Sequence, residues 1–434
     1  MSKILYLFLI LILFSACSFN KNSKFWTNSK TIDNENDSIY EELFPAEKTL
    51  KEEFNSNLKI KLDYKTAVKW MNNDLLNNSS RISFDSNLEN SSRYKFSKID
   101  DFIQYQPDIS FHGDNLIFFN NKGSIIKFDN DSNLIWKKNY YSKSEKKLNP
   151  ILQLINNGKY LIVADNITKY YMLDVETGDL IWSKINLAPF NSQIKIYKDK
   201  FFIIDFTNTL RCFSVKDGKE LWNIPTEKSL IRSQKKLSMI IIDGKILFNN
   251  SIGDITAVEI NKGELLWQLP TQSNLIYESA FSLEASELIS NKKELFFSNN
   301  RNEFFSINIK TGTINWKNKI NSNVKSILVD NYLVSISLEG YLIITEKNSG
   351  NIVRVTDVFQ NFKKKKRPFI KPTGFIVGLN KIYLSTSSGR LLVIDISSGK
   401  IISVLKIDSE KISKPFVQGK NLFLIKDNAI IKLN

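Results

Sequence analysis

The chain has 434 residues, 42 % of them hydrophobic and 12 % aromatic, enough to bury a large core in several domains or in one repeat domain. Lysine and arginine number 60 against 45 acidic residues, a formal charge of +15, with two cysteines (Cys17, Cys212) and one histidine (His112). Those counts exclude a cysteine zinc cluster, a Cys-x-x-Cys-His haem site and an HExxH metal site.

Lys3 precedes an apolar run, Ile4–Phe14, that is too short to span a bilayer comfortably, so residues 1–16 read as an export signal outside the fold. The run ends Phe14-Ser15-Ala16-Cys17, which resembles a bacterial lipobox and makes Cys17 the expected lipidated N-terminus; an ordinary secretory signal with a chance cysteine is the alternative. Acyl chains contribute roughly 0.8 kcal/mol per buried methylene, so several on one residue anchor a protein without a transmembrane helix. An exported chain this basic is expected to meet anionic membrane surfaces and no nucleic acid. Residues 17–90, rich in Asn and Ser with few apolar clusters, read as a lipidated, partly disordered tether. A short helix is expected around Phe44–Phe54, and the segment near Tyr64–Trp70 is a candidate to pack on the domain that follows.

Beyond the tether one pattern recurs. Aligned on a turn glycine and read to the fourth residue beyond it, the copies are NDSNLIW ending at Trp136, ETGDLIW at Trp182, KDGKELW at Trp222, NKGELLW at Trp267, KTGTINW at Trp316, NSGNIVR at Arg354 and SSGKIIS at Ser403. Five of the seven tryptophans fall in this column, and the copies lie 38 to 49 residues apart with a mean of about 44.5. That is the length of a four-stranded propeller blade. Alternating stretches such as KYYMLD and GRLLVID precede the turns, with further apolar runs such as KYLIVAD ahead of them, as antiparallel strands joined by tight turns require.

Six residues before the glycine, counting Ser132 as the first copy's, stand Ile126, Met172, Cys212, Ala257, Ser306, Ile344 and Val393, apolar or small as a strand wedged between sheets requires. Cys212 is accordingly read as a core thiol. Four before it stand Asp174, Ser214, Glu259, Asn308, Glu346 and Asp395, able to accept hydrogen bonds from the turn's amides. The glycine supplies the positive φ of the turn. A residue repeated once per blade serves a need felt once per blade, so Trp136, Trp182, Trp222, Trp267 and Trp316 are read as wedges docking blade on blade, each N–H meeting a backbone carbonyl. A ligand-stacking surface is the alternative.

The fold class is therefore all-β: an eight-bladed propeller over residues 91–434, with seven blades as the alternative. The tail KPFVQGKNLFLIKDNAIIKLN supplies three strands after the last motif, and SSRYKFSKID (91–100) is the natural donor of the fourth, closing the ring from the N-terminal side. The run Lys363–Arg367 reads as a solvated loop, with contact to lipid headgroups as the sharper alternative.

The repeats LDVETGDLIW, INKGELLW and IKTGTINW resemble the PQQ-type propeller repeat. With the lipobox, the seven motifs and the ending GKNLFLIKDNAIIKLN, the chain is similar to the BamB family of outer-membrane assembly lipoproteins over residues 91–434. The resemblance implies a non-enzymatic scaffold, lipid-anchored on the periplasmic face of the outer membrane, with an independent envelope binding module built on the same PQQ-like propeller as the alternative. Its implied partners are the barrel-forming subunit of the β-barrel assembly machine and unfolded outer-membrane proteins. It also implies that the stretch SLIRS between the third and fourth motifs carries partner contacts through Leu230, Ile231 and Arg232, with Glu284 in the next interblade loop. The chain departs from the family in the aliphatic spacing of the first loop and in having one acidic counterpart where the family has a pair. Ser18 stands where Asp would favour inner-membrane retention in enteric bacteria, which agrees with outer-membrane sorting.

The same repeat occurs in quinone- and calcium-dependent dehydrogenases, often with an adjacent cysteine pair, which this chain lacks. No cofactor, metal or catalytic residue is expected. His112, in SFHGDN, reads as a residue flanking a turn, and neither G-x-S-x-G nor a P-loop string occurs.

Overall fold

Antiparallel sheets with polar turns dominate the computed structural model, which describes residues 50, 52–62, 73–78, 81–99, 107–227, 233–271 and 283–434. Eight four-stranded sheets form an eight-bladed propeller, so the seven-bladed alternative falls away. Blades one to seven span residues 110–138, 152–185, 195–225, 239–269, 289–318, 327–357 and 372–406, each laid down inner strand to outer strand in sequence order. Blade eight takes three strands from 416–433 and its outermost from Ser91–Lys95, paired antiparallel from Ser91 opposite Leu433 to Lys95 opposite Ala429. The ring is thus closed by the N-terminal strand, as the unfinished tail demands.

Apolar residues gather in the seams between blades. Phe201, Ile203 and Phe213 of blade three face Ile162, Ala164 and Met172 of blade two, and Phe202, Ile204 and Cys212 face Met239, Ile241 and Val258 of blade four. Alternation explains this: a strand's two faces look toward different neighbours, so both must be apolar. Cys212 is fully buried, and burial pushes its thiol up to about 12.

The motif turn is one device used repeatedly. Asp174 Oδ1 accepts the amides of Glu176 (2.8 Å) and Thr177 (3.0 Å), and Glu259 Oε2 those of Asn261 (2.8 Å) and Lys262 (2.7 Å). Gly218 has φ +68°, and a Cβ there would stand 2.7 Å from Cζ3 of Trp182 in the preceding blade. Gly178, Gly263, Gly312 and Gly350 stand in the same relation to Trp136, Trp222, Trp267 and Trp316. The indole N–H of Trp182, Trp267 and Trp316 donates to the carbonyls of Val215 (3.0 Å), Ile309 (3.0 Å) and Lys347 (2.9 Å). Arg354 fills the column in blade six and donates to the matching carbonyl, Ile396 (3.0 Å), and to Ser397.

Blade one departs from this scheme. Its turn is one residue shorter, so Lys127, not Ile126, stands opposite Trp136. Lys127 is buried, and its ammonium reaches Glu176 (2.7 Å) and the Val175 carbonyl (3.1 Å). That carbonyl is the one an indole would use by analogy with the other blades, and Trp136 Nε1 has no hydrogen-bond partner; neither has that of Trp222.

Helix within the described propeller residues amounts to single turns, such as Lys143–Lys146 with a capping box between Ser142 and Glu145. The helix expected to run to Phe54 does not include Glu52–Phe54, because the outer edge of blade six offers unpaired backbone groups and Phe54 pairs there with Val355. Tyr64–Trp70 and Cys17 lie outside the described residues.

Candidate functional site

Each inner strand runs from an interblade loop to a hairpin, so all interblade loops emerge on one face and the motif turns on the opposite one. At the centre of the loop face opens a cavity of about 870 Å³. Six lysines (Lys235, Lys236, Lys325, Lys371, Lys411, Lys414) and three glutamates (Glu284, Glu287, Glu410) line it, together with the apolar Leu338 and Phe375, and the exposed Phe369 stands at its mouth.

Deeper in, charges from many blades meet across the axis. Asp108, ahead of blade one, binds Lys236 from blade four (2.5 Å) and Lys414 from blade eight (3.0 Å). Glu287, ahead of blade five, binds Lys414 (2.7 Å) and accepts from Gln193 of blade three (3.0 Å), with Lys325 of blade six at 4.0 Å. Burial favours the protonated form of Asp108, but Lys236 and Lys414 outweigh it and hold the carboxyl well below its usual range. At Glu287 burial acts the same way, and Lys414 with Lys325 brings the carboxyl to about 2. Lys195 and Lys235 lack such close carboxylates, and burial lowers each to about 8.

Residues 73–78 pack beside these charges, where Asp74 and Asn77 line a smaller recess with Asp108, Lys195 and Glu287. The Asn77 amide donates to Gln193 Oε1 (3.1 Å), Ser238 Oγ (3.2 Å) and the carbonyls of Met239 (3.0 Å) and Leu288 (2.9 Å), so one side chain ties blades three, four and five. Lys195 returns two bonds, to Asn77 Oδ1 and the Asp74 carbonyl, both 2.5 Å. This plug carried no sequence signal beyond Asn-Asn-Asp-Leu-Leu-Asn-Asn, a string that composition assigns to a tether.

Of the residues the resemblance selects for partner contact, Leu230, Ile231 and Arg232 lie outside the described residues. Glu284 sits exposed at the rim of the cavity, where the Asn323 amide donates to its carboxylate and its own amide meets Asn300 Oδ1 (2.9 Å). Ser233, directly after Arg232, donates through Oγ to the carbonyl of Leu283, directly before Glu284. The two loops singled out separately in the sequence are therefore neighbours on one face. The docking tryptophans lie apart from this site, in the seams. Among the described residues no group of three or more His, Cys, Asp and Glu is placed to hold a metal ion, and no helix is long and apolar enough to cross a membrane.

Fold and site together define a propeller of PQQ-type repeats whose varied polar chemistry is gathered on the interblade-loop face. The chain belongs to the family described as outer membrane protein assembly factor BamB, whose profile matches residues 121–356. A curated relative, the outer membrane protein assembly factor BamB of Shewanella oneidensis, is 25 % identical over 150 residues, 34 % of this chain. That alignment spans about a third, 35 %, of the relative's own length. Among solved structures, BamB from Moraxella catarrhalis superposes with a TM-score of 0.62 over 80 % of this chain and 98 % of that one, at 15 % identity. A quinohemoprotein alcohol dehydrogenase from Pseudomonas putida superposes at 0.55 over 79 % of this chain and 75 % of that one, at 10 % identity, a likeness of fold alone.

Proposed function

We propose that the protein is a non-enzymatic scaffold of the outer-membrane β-barrel assembly machine, held by a lipid on Cys17 at the periplasmic face of the outer membrane. In this reading it binds the barrel-forming subunit and aids insertion of outer-membrane proteins. The observation that carries the reading is the family match over residues 121–356, which contains both candidate contact loops. The bond from Ser233 to Leu283 joins the chain that flanks the two candidate segments, which supports one partner contact drawing on both. A rigid ring with variable loops suits this role, since blade packing is unaffected by what the loops display.

The test is co-purification from detergent-solubilised membranes, with a photo-crosslinking residue placed at Ile231 or Glu284. The barrel-forming subunit is expected in the eluate and in the crosslinked band, and Arg232→Glu is expected to deplete it while leaving the melting temperature unchanged. Recovery of the protein without that subunit would overturn the assignment.

A further inference from the structure

The loop between blades six and seven carries the chain's densest run of charge, and the partner-contact reading makes no use of it. Its construction is specific. Phe359 is fully buried at one end and Ile370 at the other. Between them the Arg367 guanidinium binds the Asp357 carboxylate (2.8 Å) and the carbonyls of Gln360 (2.7 Å) and Phe362 (3.1 Å). One cation is thereby spent on bracing the loop, and the four before it, Lys363 to Lys366, all stay exposed. Among the described residues Arg367–Asp357 is the loop's one ion pair. Three residues past the last of these lysines Phe369 is 82 % exposed, against 50 % for Phe54, the other exposed aromatic among the described residues. A braced loop that presents four ammoniums and a bare aromatic ring is matched to a surface both anionic and penetrable.

Phe54 pairs with Val355 through both backbone bonds (3.1 and 2.8 Å), and the Glu53 carboxylate accepts the amide of Asp357 at 3.0 Å. Asp357 is the residue that holds Arg367. The segment Glu53–Phe54 therefore docks on the same aspartate that braces the basic loop.

We propose that this loop is a membrane-contact surface, with Lys363, Lys364, Lys365 and Lys366 over anionic lipid headgroups and Phe369 inserted at the headgroup boundary. Lysine suits the task because an ammonium is a hydrated point charge that needs no fixed partner geometry, unlike the guanidinium fork. Basic side chains near an anionic leaflet add their attractions, and an aromatic ring at the interface buries apolar area below them. A single acylated residue would gain a second attachment site this way, but the inference does not require acylation at Cys17.

The test uses the full chain carrying Cys17→Ser, so that no acyl chain contributes, in sedimentation with phosphatidylcholine vesicles and with vesicles also containing phosphatidylglycerol. Binding is expected to favour the anionic vesicles and to fall as salt is raised. Replacing Lys363, Lys364, Lys365 and Lys366 with glutamine in that background is expected to weaken the anionic-vesicle affinity about ten-fold or more, with an unchanged melting curve. Phe369→Ala is expected to weaken binding while leaving its salt dependence in place. Equal binding by the lysine variant and its parent would overturn the proposal, as would a parent that ignores anionic vesicles but is retained on immobilised polyglutamate, which would mark an acidic protein as the occupant.

Discussion

At the scale of single residues, the recurring contact is an aromatic ring laid on a bare glycine, and each half of it explains the other. Gly218 is required by its φ of +68° and by the Trp182 ring 2.7 Å from where a Cβ would be. Trp182→Ala is expected to cost about 3–5 kcal/mol in urea titrations. Gly218→Ala should cost about 1–2 kcal/mol for the left-handed backbone, plus the clash. In the Trp182→Ala background only the backbone cost remains, so a double-mutant cycle should show strong coupling, whereas additive losses would place the ring elsewhere. Asp165, the last residue of blade two's second strand, is fully buried. Its Oδ1 accepts the amides of Ile167 (2.9 Å) and Lys169 (2.8 Å), and burial raises the carboxyl to about 6. Because the folded chain then binds this proton more readily than the unfolded one, stability falls as pH rises from about 4 to about 6. Asn120 and Asn250 make the same turn bonds uncharged in blades one and four. Asp165→Asn is therefore expected to gain about 1–3 kcal/mol on the wild type at pH 7.5 and much less at pH 4, measured by urea titration at both.

At the scale of elements, closure of the ring depends on the strand Ser91–Lys95. Its Tyr94 is 1 % exposed, lies edge-on to Phe128 of blade one with centroids 5.5 Å apart, and donates to the Asn130 carbonyl in blade one's motif turn (3.1 Å). Tyr94 thus supplies blade eight with the interblade ring that tryptophan gives to others. Tyr94→Ala is expected to lower stability by about 3–5 kcal/mol and to expose residues near 91–99 to limited proteolysis. The propeller class, the blade period and the donor strand were legible because packing repeats a demand every blade, and repetition is visible in one sequence. Tyr94 was not, since it precedes the first repeat and has no turn glycine four residues before it to mark its column. Lys127 was hidden by a turn one residue short, which moves the register without changing the motif's appearance. The plug at 73–78 was invisible for a different reason: Asn73 and Asn77 bond to the carbonyls of Ile196, Met239 and Leu288, in three blades that no local pattern brings together.

At the scale of the whole molecule, a ring of similar wedges leaves a hole at its axis, and here partly buried polar and charged side chains span it. Asp108, Gln193, Lys236, Glu287, Lys325 and Lys414 come from six different blades, and most of the contacts among them join blades that are not neighbours. Such a network adds stability only while its ionised members keep their charge, because one lost partner leaves another half-buried ion uncompensated. Glu287 sets the pH at which this fails. Its carboxyl is held at about 2 in the folded chain, below its ordinary value of 4.5, so its contribution is complete above about pH 4.5 and is lost as pH falls toward 2. Glu287→Gln removes that carboxylate at every pH. The variant is expected to be less stable than the wild type by about 2–3 kcal/mol at pH 7, with the gap narrowing steadily below pH 4.5 in parallel urea titrations. A gap that stays constant down to pH 3 would mean that the axial charges are screened by solvent and that interblade packing alone sets the ring's stability.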